Sequence, residues 1–392
     1  MHQSGRSKKT DLAIVNRSFW PEGQVIGEGL LQFAEQAAKS HTVCVITQVQ
    51  DGLAELLTKQ GRGEGVMIRA CKTYTTSASG IPKRMLEALW FMLWTFYSLV
   101  RAKPANVYVS TNPPVVVPFV VALYCRLFNA NYVYHLQDIH PEAANISMPL
   151  NRWVFGLLKS IDNYTLRHAK AVVTLSEDMK IFAQERSETK SPIYLLDNPS
   201  FAVASKPLEQ RSKDIVFCGN AGRMQRIPLV ISAISEYIHG GGKLQFTFAG
   251  GGVFQADVKA LADAYRQVDY RGVISATAAA ELVSDHRWAL LPIEDEVTRY
   301  AFPSKSSGYV LSGAGVLAVC GTETSVATWV NRLNVGAVCP PELEALVACF
   351  FSLEEKNGKS FAINDIVREQ LQIPYFAAKL MDFVLNDSQT QV

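Results

Sequence analysis

The chain has 392 residues, 48% of them hydrophobic and 19% charged, with a net charge of +2. That length exceeds one compact core and suits two domains, and the composition is that of a folded protein, not a disordered one. So small a net charge excludes the basic balance of a nucleic-acid binder, so any anion site has to be local.

Cys44, Cys71, Cys125, Cys218, Cys320, Cys339 and Cys349 are scattered through apolar runs, without a C-x-x-C pair or a ligand-like cluster with histidines. This predicts reduced core thiols in the cytoplasm and no metal site. Residues 1–10 are polar and basic and lack the apolar core of a signal peptide.

In the first half, residues 11–16 (DLAIVN), 42–47 (TVCVIT), 106–110 (NVYVS), 131–135 (NYVYH) and 171–175 (AVVTL) are short and rich in Val, Ile and Tyr. They are the expected strands, buried on both faces. Helix-length segments separate them at 28–40, 83–101, 114–128, 150–169 and 177–184. After a polar stretch at 204–213 the pattern restarts, with strands expected at 214–218, 245–249, 268–271, 288–292, 315–319 and 336–338. Strand alternating with helix implies two parallel sheets. The expected architecture is therefore α/β, with two Rossmann-like doubly wound domains facing a central cleft, residues 1–200 and 201–373. The closing helical stretch, within 374–392, is free to pack back on the first.

Residues 85–100 (MLEALWFMLWTFYSLV) are intensely apolar, with Lys83, Arg84, Arg101 and Lys103 at the ends. They are too few for a span of about 20 residues. Two readings stay open: a helix packed on a sheet, or one whose aromatic face (Trp90, Phe91, Trp94, Phe96, Tyr97) rests on an anionic bilayer surface.

Ligands of open α/β sheets bind beyond the carboxyl ends of strands, so the loops there carry the chemistry. Residues 19–29 (FWPEGQVIGEG) follow the first strand and open a helix; Gly23 and Gln24 are donor-contact candidates, or the glycines serve turn geometry alone. The spacing is not G-x-G-x-x-G and no acidic residue ends a second strand, which speaks against a dehydrogenase. Residues 137–142 (QDIHPE) bring Asp138 and His140 together, with a simple turn as the alternative. Residues 219–226 (GNAGRMQR) offer Gly219, Asn220, Gln225 and two guanidinium groups, Arg223 and Arg226, to a diphosphate. Gly250 and Gly251, in a run of three glycines, allow close approach of a base or phosphate, or form a bare tight turn. Residues 302–308 (FPSKSSG) present Ser304, Lys305, Ser307 and Gly308 at a helix start, the best phosphate candidate in the chain.

In order, these elements resemble glycosyltransferase family 4, with its GT-B fold, and especially the branch that builds lipopolysaccharide, capsule or exopolysaccharide. The resemblance runs through PEG at 21–23, STNPP at 110–114, DIHPE at 138–142, SED at 176–178, GNAG-x-x-Q at 219–225, AGGG at 249–252 and PSK at 303–305. It implies a retaining, metal-independent transfer without a cofactor, in which the second domain binds a nucleotide-sugar donor, expected to be a UDP-sugar, and the first binds a saccharide or lipid-linked acceptor. Hexosyl or N-acetylhexosaminyl transfer is expected. Arg223 and Lys305 would neutralise the pyrophosphate as its charge grows, and Asp138 and His140 would contact the sugar or acceptor. Asn220 and Gln225 stand where many members have a basic pair, leaving Arg223 or Arg226 as substitutes. The second glutamate of the family's E-x7-E pattern, which grips ribose, corresponds to Gly308, and neither Glu294 nor Glu296 restores the spacing. A nucleotide-sugar 2-epimerase and a non-catalytic nucleotide-sugar-binding protein are the alternatives. No nucleic-acid partner is expected; the setting is cytoplasmic, with peripheral contact at the inner membrane through 83–103.

Overall fold

The computed structural model describes residues 10–49, 52–75, 79–202, 206–355 and 363–386. The chain divides into two units, Met1–Asp197 with Ile373–Val392, and Asn198–Gln372. The first runs β1 (Leu12–Val15), α1 (Gln24–Ala38), β2 (Val43–Val49), α2 (Leu53–Lys59), β3 (Val66–Lys72), α3 (Ile81–Ala102), β4 (Asn106–Ser110), α4 (Val116–Phe128), β5 (Asn131–Leu136), α5 (Glu142–Ser147), α6 (Arg152–His168), β6 (Ala171–Thr174), α7 (Glu177–Ser187) and β7 (Ile193–Leu195). All seven strands are parallel, in the order β3-β2-β1-β4-β5-β6-β7. Alternation along a strand sends successive side chains to opposite faces. Leu12 and Ile14 join the core under α1, while Ala13 and Val15 are buried toward the side on which α3 packs.

The second unit continues with β8 (Lys213–Cys218), α8 (Ile227–His239), β9 (Phe246–Ala249), α9 (Gln255–Ala264), β10 (Val268–Tyr270), α10 (Ala276–Ser284), β11 (His286–Pro292), α11 (Ser306–Leu311), β12 (Gly315–Val319), α12 (Ser325–Leu333), β13 (Gly336–Cys339), α13 (Leu343–Glu355) and α14 (Asp365–Gln370). Its six parallel strands lie in the order β10-β9-β8-β11-β12-β13. Ile215, Phe217, Phe246 and Phe248 pack there with Ile234 and Tyr237 of α8 and Phe350 of α13. The last helix, α15 (Ile373–Leu385), belongs to the first unit, where Phe376, Leu380 and Val384 enter the core beside α1. All seven cysteines are free thiols, and five are buried.

The expected strands all form, but β3, β7 and α2 were not anticipated. β3 is an edge strand paired only with β2, half-exposed and carrying Arg69 and Lys72, so it lacks the continuous apolar run of its neighbours. β7 has only 3 residues. The helix expected from residue 114 starts at Val116, because Val115 takes φ 63° and ψ −64° while Val116 N donates to the Pro114 carbonyl at 2.7 Å. That is a γ-turn of positive φ, a strained conformation for a β-branched residue.

Helix α3 buries one face of the apolar segment and leaves another exposed. Phe91 and Leu99 are fully buried, and Trp94 donates from its indole to the Arg69 carbonyl of β3 at 3.3 Å. Met85, Leu86, Leu89, Trp90, Leu93 and Tyr97 are exposed along the opposite stripe. The expected single aromatic face is therefore divided, with Phe91 in the core. Among the described residues no helix is long and apolar enough to cross a membrane.

Candidate functional site

In the first sheet the winding reverses between β1 and β4, and in the second between β8 and β11. Loops at such reversals are where open parallel sheets receive ligands. After β1, Asn16 accepts from the Ser110 hydroxyl and donates to the Ser18 carbonyl, while Asn112 donates to Ser18 Oγ at 3.0 Å, tying the loops after β1 and β4 together. The chain then folds back onto the start of α1: a Cβ on Gly23 would lie 2.9 Å from Gly27 Cα, and one on Gly27 2.9 Å from the Trp20 nitrogen. Chain packing alone thus requires glycine at 23 and 27. Gln24, exposed at the helix start, has φ 46°.

Asp138 and His140 follow β5 and are both half-buried. Burial pushes the Asp138 carboxyl up to about 6. Burial, and then the charge of Arg186, pushes the His140 imidazole down to about 4. At neutral pH the loop therefore offers a carboxylate and an uncharged imidazole, an acceptor and a donor–acceptor pair suited to hydroxyl groups.

In the second unit the turns after β8 and β9 lie backbone on backbone. Gly219 N donates to the Ala249 carbonyl at 2.9 Å and Ala221 N to the Gly251 carbonyl at 2.6 Å. A Cβ on Gly250 (φ 130°) would fall 1.9 Å from the Gly219 oxygen, and one on Gly252 2.4 Å from the Ala221 oxygen. These glycines are demanded by the neighbouring turn whatever binds there. Gly251 is more open, with Val273 Cγ2 3.3 Å from its would-be Cβ.

Lys305 reaches this paired turn from the start of α11. Its ammonium lies 4.0 Å from the centre of the Phe217 ring and 3.3 Å from the Cβ position of Gly219. Burial lowers its pKa to about 7, and nearby Cys218 works in the other direction. The Tyr309 hydroxyl accepts from Cys218 N at 3.1 Å and donates to its carbonyl at 2.8 Å, locking α11 to the end of β8.

The other anticipated donor contacts divide by their partners. Asn220, Arg223 and Ser304 are exposed. Gln225 accepts from Gly222 N at 3.1 Å and so closes its own turn. Arg226 is engaged locally: it donates to the Ile293 carbonyl at 2.8 Å and pairs with Asp295 at 2.9 Å and Glu294 at 3.1 Å. That consumes the guanidinium as a substitute pyrophosphate ligand and leaves Arg223 as the exposed arginine of the turn. Ser307 is buried, and the Cβ position of Gly308 lies 3.2 Å from Ser200 Oγ. Among the described residues no three His, Cys, Asp or Glu side chains come together as a metal set.

Sequence reasoning missed Asp295, which also accepts from Gly321 N at 2.9 Å, and Arg186. Asp295 stands three residues beyond an expected strand, so its position was the available signal; Arg186 looked like an ordinary surface charge near a helix end.

Residues 28–192 match the model of a glycosyl transferase 4-like domain. The whole chain is similar in fold to a glycosyltransferase from Rickettsia africae (TM-score 0.64, 15% identity, covering 97% of this chain and 100% of that one). It is also similar to Anabaena HepE in complex with UDP-glucose (0.62, 14%, 95% and 99%) and to WaaG, a glycosyltransferase involved in lipopolysaccharide biosynthesis (0.63, 14%, 96% and 100%). Each unit is thus a Rossmann-like parallel-sheet domain, and together they make up the GT-B fold. No curated protein matches the sequence.

Proposed function

We propose that the protein is a retaining glycosyltransferase that moves a hexosyl or N-acetylhexosaminyl group from a UDP-sugar to a saccharide or lipid-linked saccharide, in lipopolysaccharide, capsule or exopolysaccharide assembly. The observation that carries this reading is the Lys305 ammonium set against the paired glycine turns at the end of β8, in a chain whose fold is similar to that of a UDP-glucose-bound protein. The second unit binds the nucleotide and the first the acceptor. Lys305 and Arg223 carry the charge that the pyrophosphate gains as the anomeric bond breaks, so no metal is called on. The acceptor oxygen bonds to the anomeric carbon on the face the diphosphate leaves, and a phosphate oxygen takes the acceptor proton. Asp138 and His140 hold hydroxyl groups of the sugar or acceptor.

We further propose that the exposed stripe of α3 rests on the cytoplasmic face of an anionic bilayer, which would give access to a lipid-linked acceptor. Apolar residues recur there at 86, 89, 90, 93 and 97, with exposed Lys83, Arg84 and Arg101 at the ends. On α6 the exposed Arg152, Trp153 and Leu157 add a second apolar and basic segment. Apolar area flanked by cations is the composition that anionic headgroups attract.

The test is thermal-shift screening against UDP, GDP, ADP and TDP, followed by incubation of the stabilising nucleotide's sugars with saccharide acceptors. Stabilisation by UDP and release of UDP with a new glycoside are expected. An epimerised nucleotide sugar formed without acceptor, or binding without transfer over a broad panel, would overturn the reading.

A further inference from the structure

The loop carrying His140 is held from behind by a buried charge cluster that the proposed reaction does not use. Helix α7 begins on Ser176, whose hydroxyl accepts from Met179 N, and Arg186 comes near its end. The Arg186 side chain is 2% exposed. One guanidinium nitrogen donates to the His140 carbonyl at 3.0 Å and to Glu142 of α5 at 2.7 Å, and the other donates to the Asp162 carboxylate of α6. Asp162 is fully buried and also accepts from the Tyr134 hydroxyl of β5 at 2.9 Å. Four elements therefore meet on one cation. A planar fork of donors fixes directions, which a point charge does not. Bonding the His140 carbonyl sets the peptide plane from which its side chain leaves.

We propose that Arg186 is a positioning residue for His140, holding that residue's backbone so that the imidazole meets the sugar or acceptor in one orientation. The proposal rests on the reading that His140 contacts a sugar. Arg186 is the charged group bonded to the His140 backbone; Glu142 and Asp162 are bonded to Arg186, Tyr134 is joined through Asp162, and Asp138 lies two residues earlier on the same loop. Beside burial, the Arg186 cation opposes protonation of the imidazole.

The experiment compares the full chain with Arg186→Lys, Arg186→Met and Glu142→Gln. The His140 ring is followed by 15N-edited NMR titration, assigned with His140→Gln, and kcat and donor KM are measured alongside melting temperature. Arg186→Lys keeps the charge and loses the fork, and is expected to lower kcat by about 10²-fold, the scale of a small misplacement, with donor KM and melting temperature little changed and the His140 ring signals displaced. Arg186→Met should raise the His140 midpoint by about one unit, because the opposing cation is gone. Glu142→Gln, which leaves the carbonyl bond, should stay near wild-type kcat. If Arg186→Met does not fold, Arg186→Lys alone decides. Unchanged His140 signals in Arg186→Lys, with kcat either intact or falling only in step with melting temperature, would overturn the proposal. The ring signals report whether or not sugar is transferred: His140 signals displaced in Arg186→Lys, alongside a wild-type chain that shows no turnover, would leave the positioning intact and remove the transferase reading.

Discussion

The loop after β5 and the turn after β8 both follow a buried parallel strand, yet they are held in opposite ways. Around His140 the scaffold is made of side chains: Arg186 ties a carbonyl to two carboxylates from other helices. Around Gly219 it is backbone on backbone, with Lys305 the charged side chain that the turn receives. A surface built from amides and one ammonium suits an anion of fixed shape, such as a pyrophosphate. One built from a carboxylate and an imidazole suits neutral hydroxyl groups, and its chemistry is adjustable through the charges behind it.

The largest expected effect would break the comparison at its charged point. Lys305→Ala should lower kcat by roughly 10²–10³-fold with the fold intact, the scale for removing a contact that strengthens in the transition state; steady-state UDP release checks it. Gly250→Ala tests the backbone half. A Cβ 1.9 Å from a carbonyl oxygen at φ 130° leaves no tolerated geometry, so a loss of about 3 kcal/mol or more in chemical denaturation is expected, where Gly251→Ala should cost much less.

Asp138→Asn sharpens the side-chain half. The Asp138 carboxyl is raised to about 6 by burial, so its charged form is the disfavoured one in the folded chain. Its contribution to stability is present below the ordinary carboxylate pKa and is lost as pH rises through about 6. Asp138→Asn should therefore raise the melting temperature at pH 7.5 while lowering kcat by about 10-fold or more. In the wild type, kcat should climb with pH across about 5 to 7 as the carboxylate forms. The smallest effect lies away from both loops. Replacing Trp90 and Leu93 with Ser should abolish flotation with anionic liposomes while changing solution stability by under about 1 kcal/mol, since both side chains are already half-exposed. Loss of fold in that variant would return the stripe to the core.

How much of this the sequence carried depends on how local each feature is. Strands such as AVVT at 171–174 and GVLAV at 315–319 are continuous apolar runs, and two-faced burial leaves that mark on the sequence itself. The edge strand β3, with charges on a half-wet face, leaves none. Glycine turns after strands were legible as turns, but that Gly250 serves the Gly219 carbonyl follows only when residues thirty apart are in contact. The same holds for the arginines. Arg223 and Arg226 look equivalent in GRMQR, and only the folded loop after β11 brings Glu294 and Asp295 to one of them. Arg186 was illegible because its partners lie 24 to 46 residues away on other elements.

The central claim, that the turn after β8 and Lys305 receive a nucleoside diphosphate, is tested most directly by calorimetry of UDP binding at pH 8 in two buffers of different ionisation enthalpy. Burial holds the Lys305 ammonium near 7, so the free chain at pH 8 is mostly deprotonated there and must take up a proton to pair with the diphosphate. The account predicts UDP binding with uptake of close to one proton, weakening by up to about tenfold per pH unit above 7, with both the uptake and most of the affinity lost in Lys305→Ala. UDP binding of equal strength in Lys305→Ala, or no binding of any of the four nucleoside diphosphates, would contradict it.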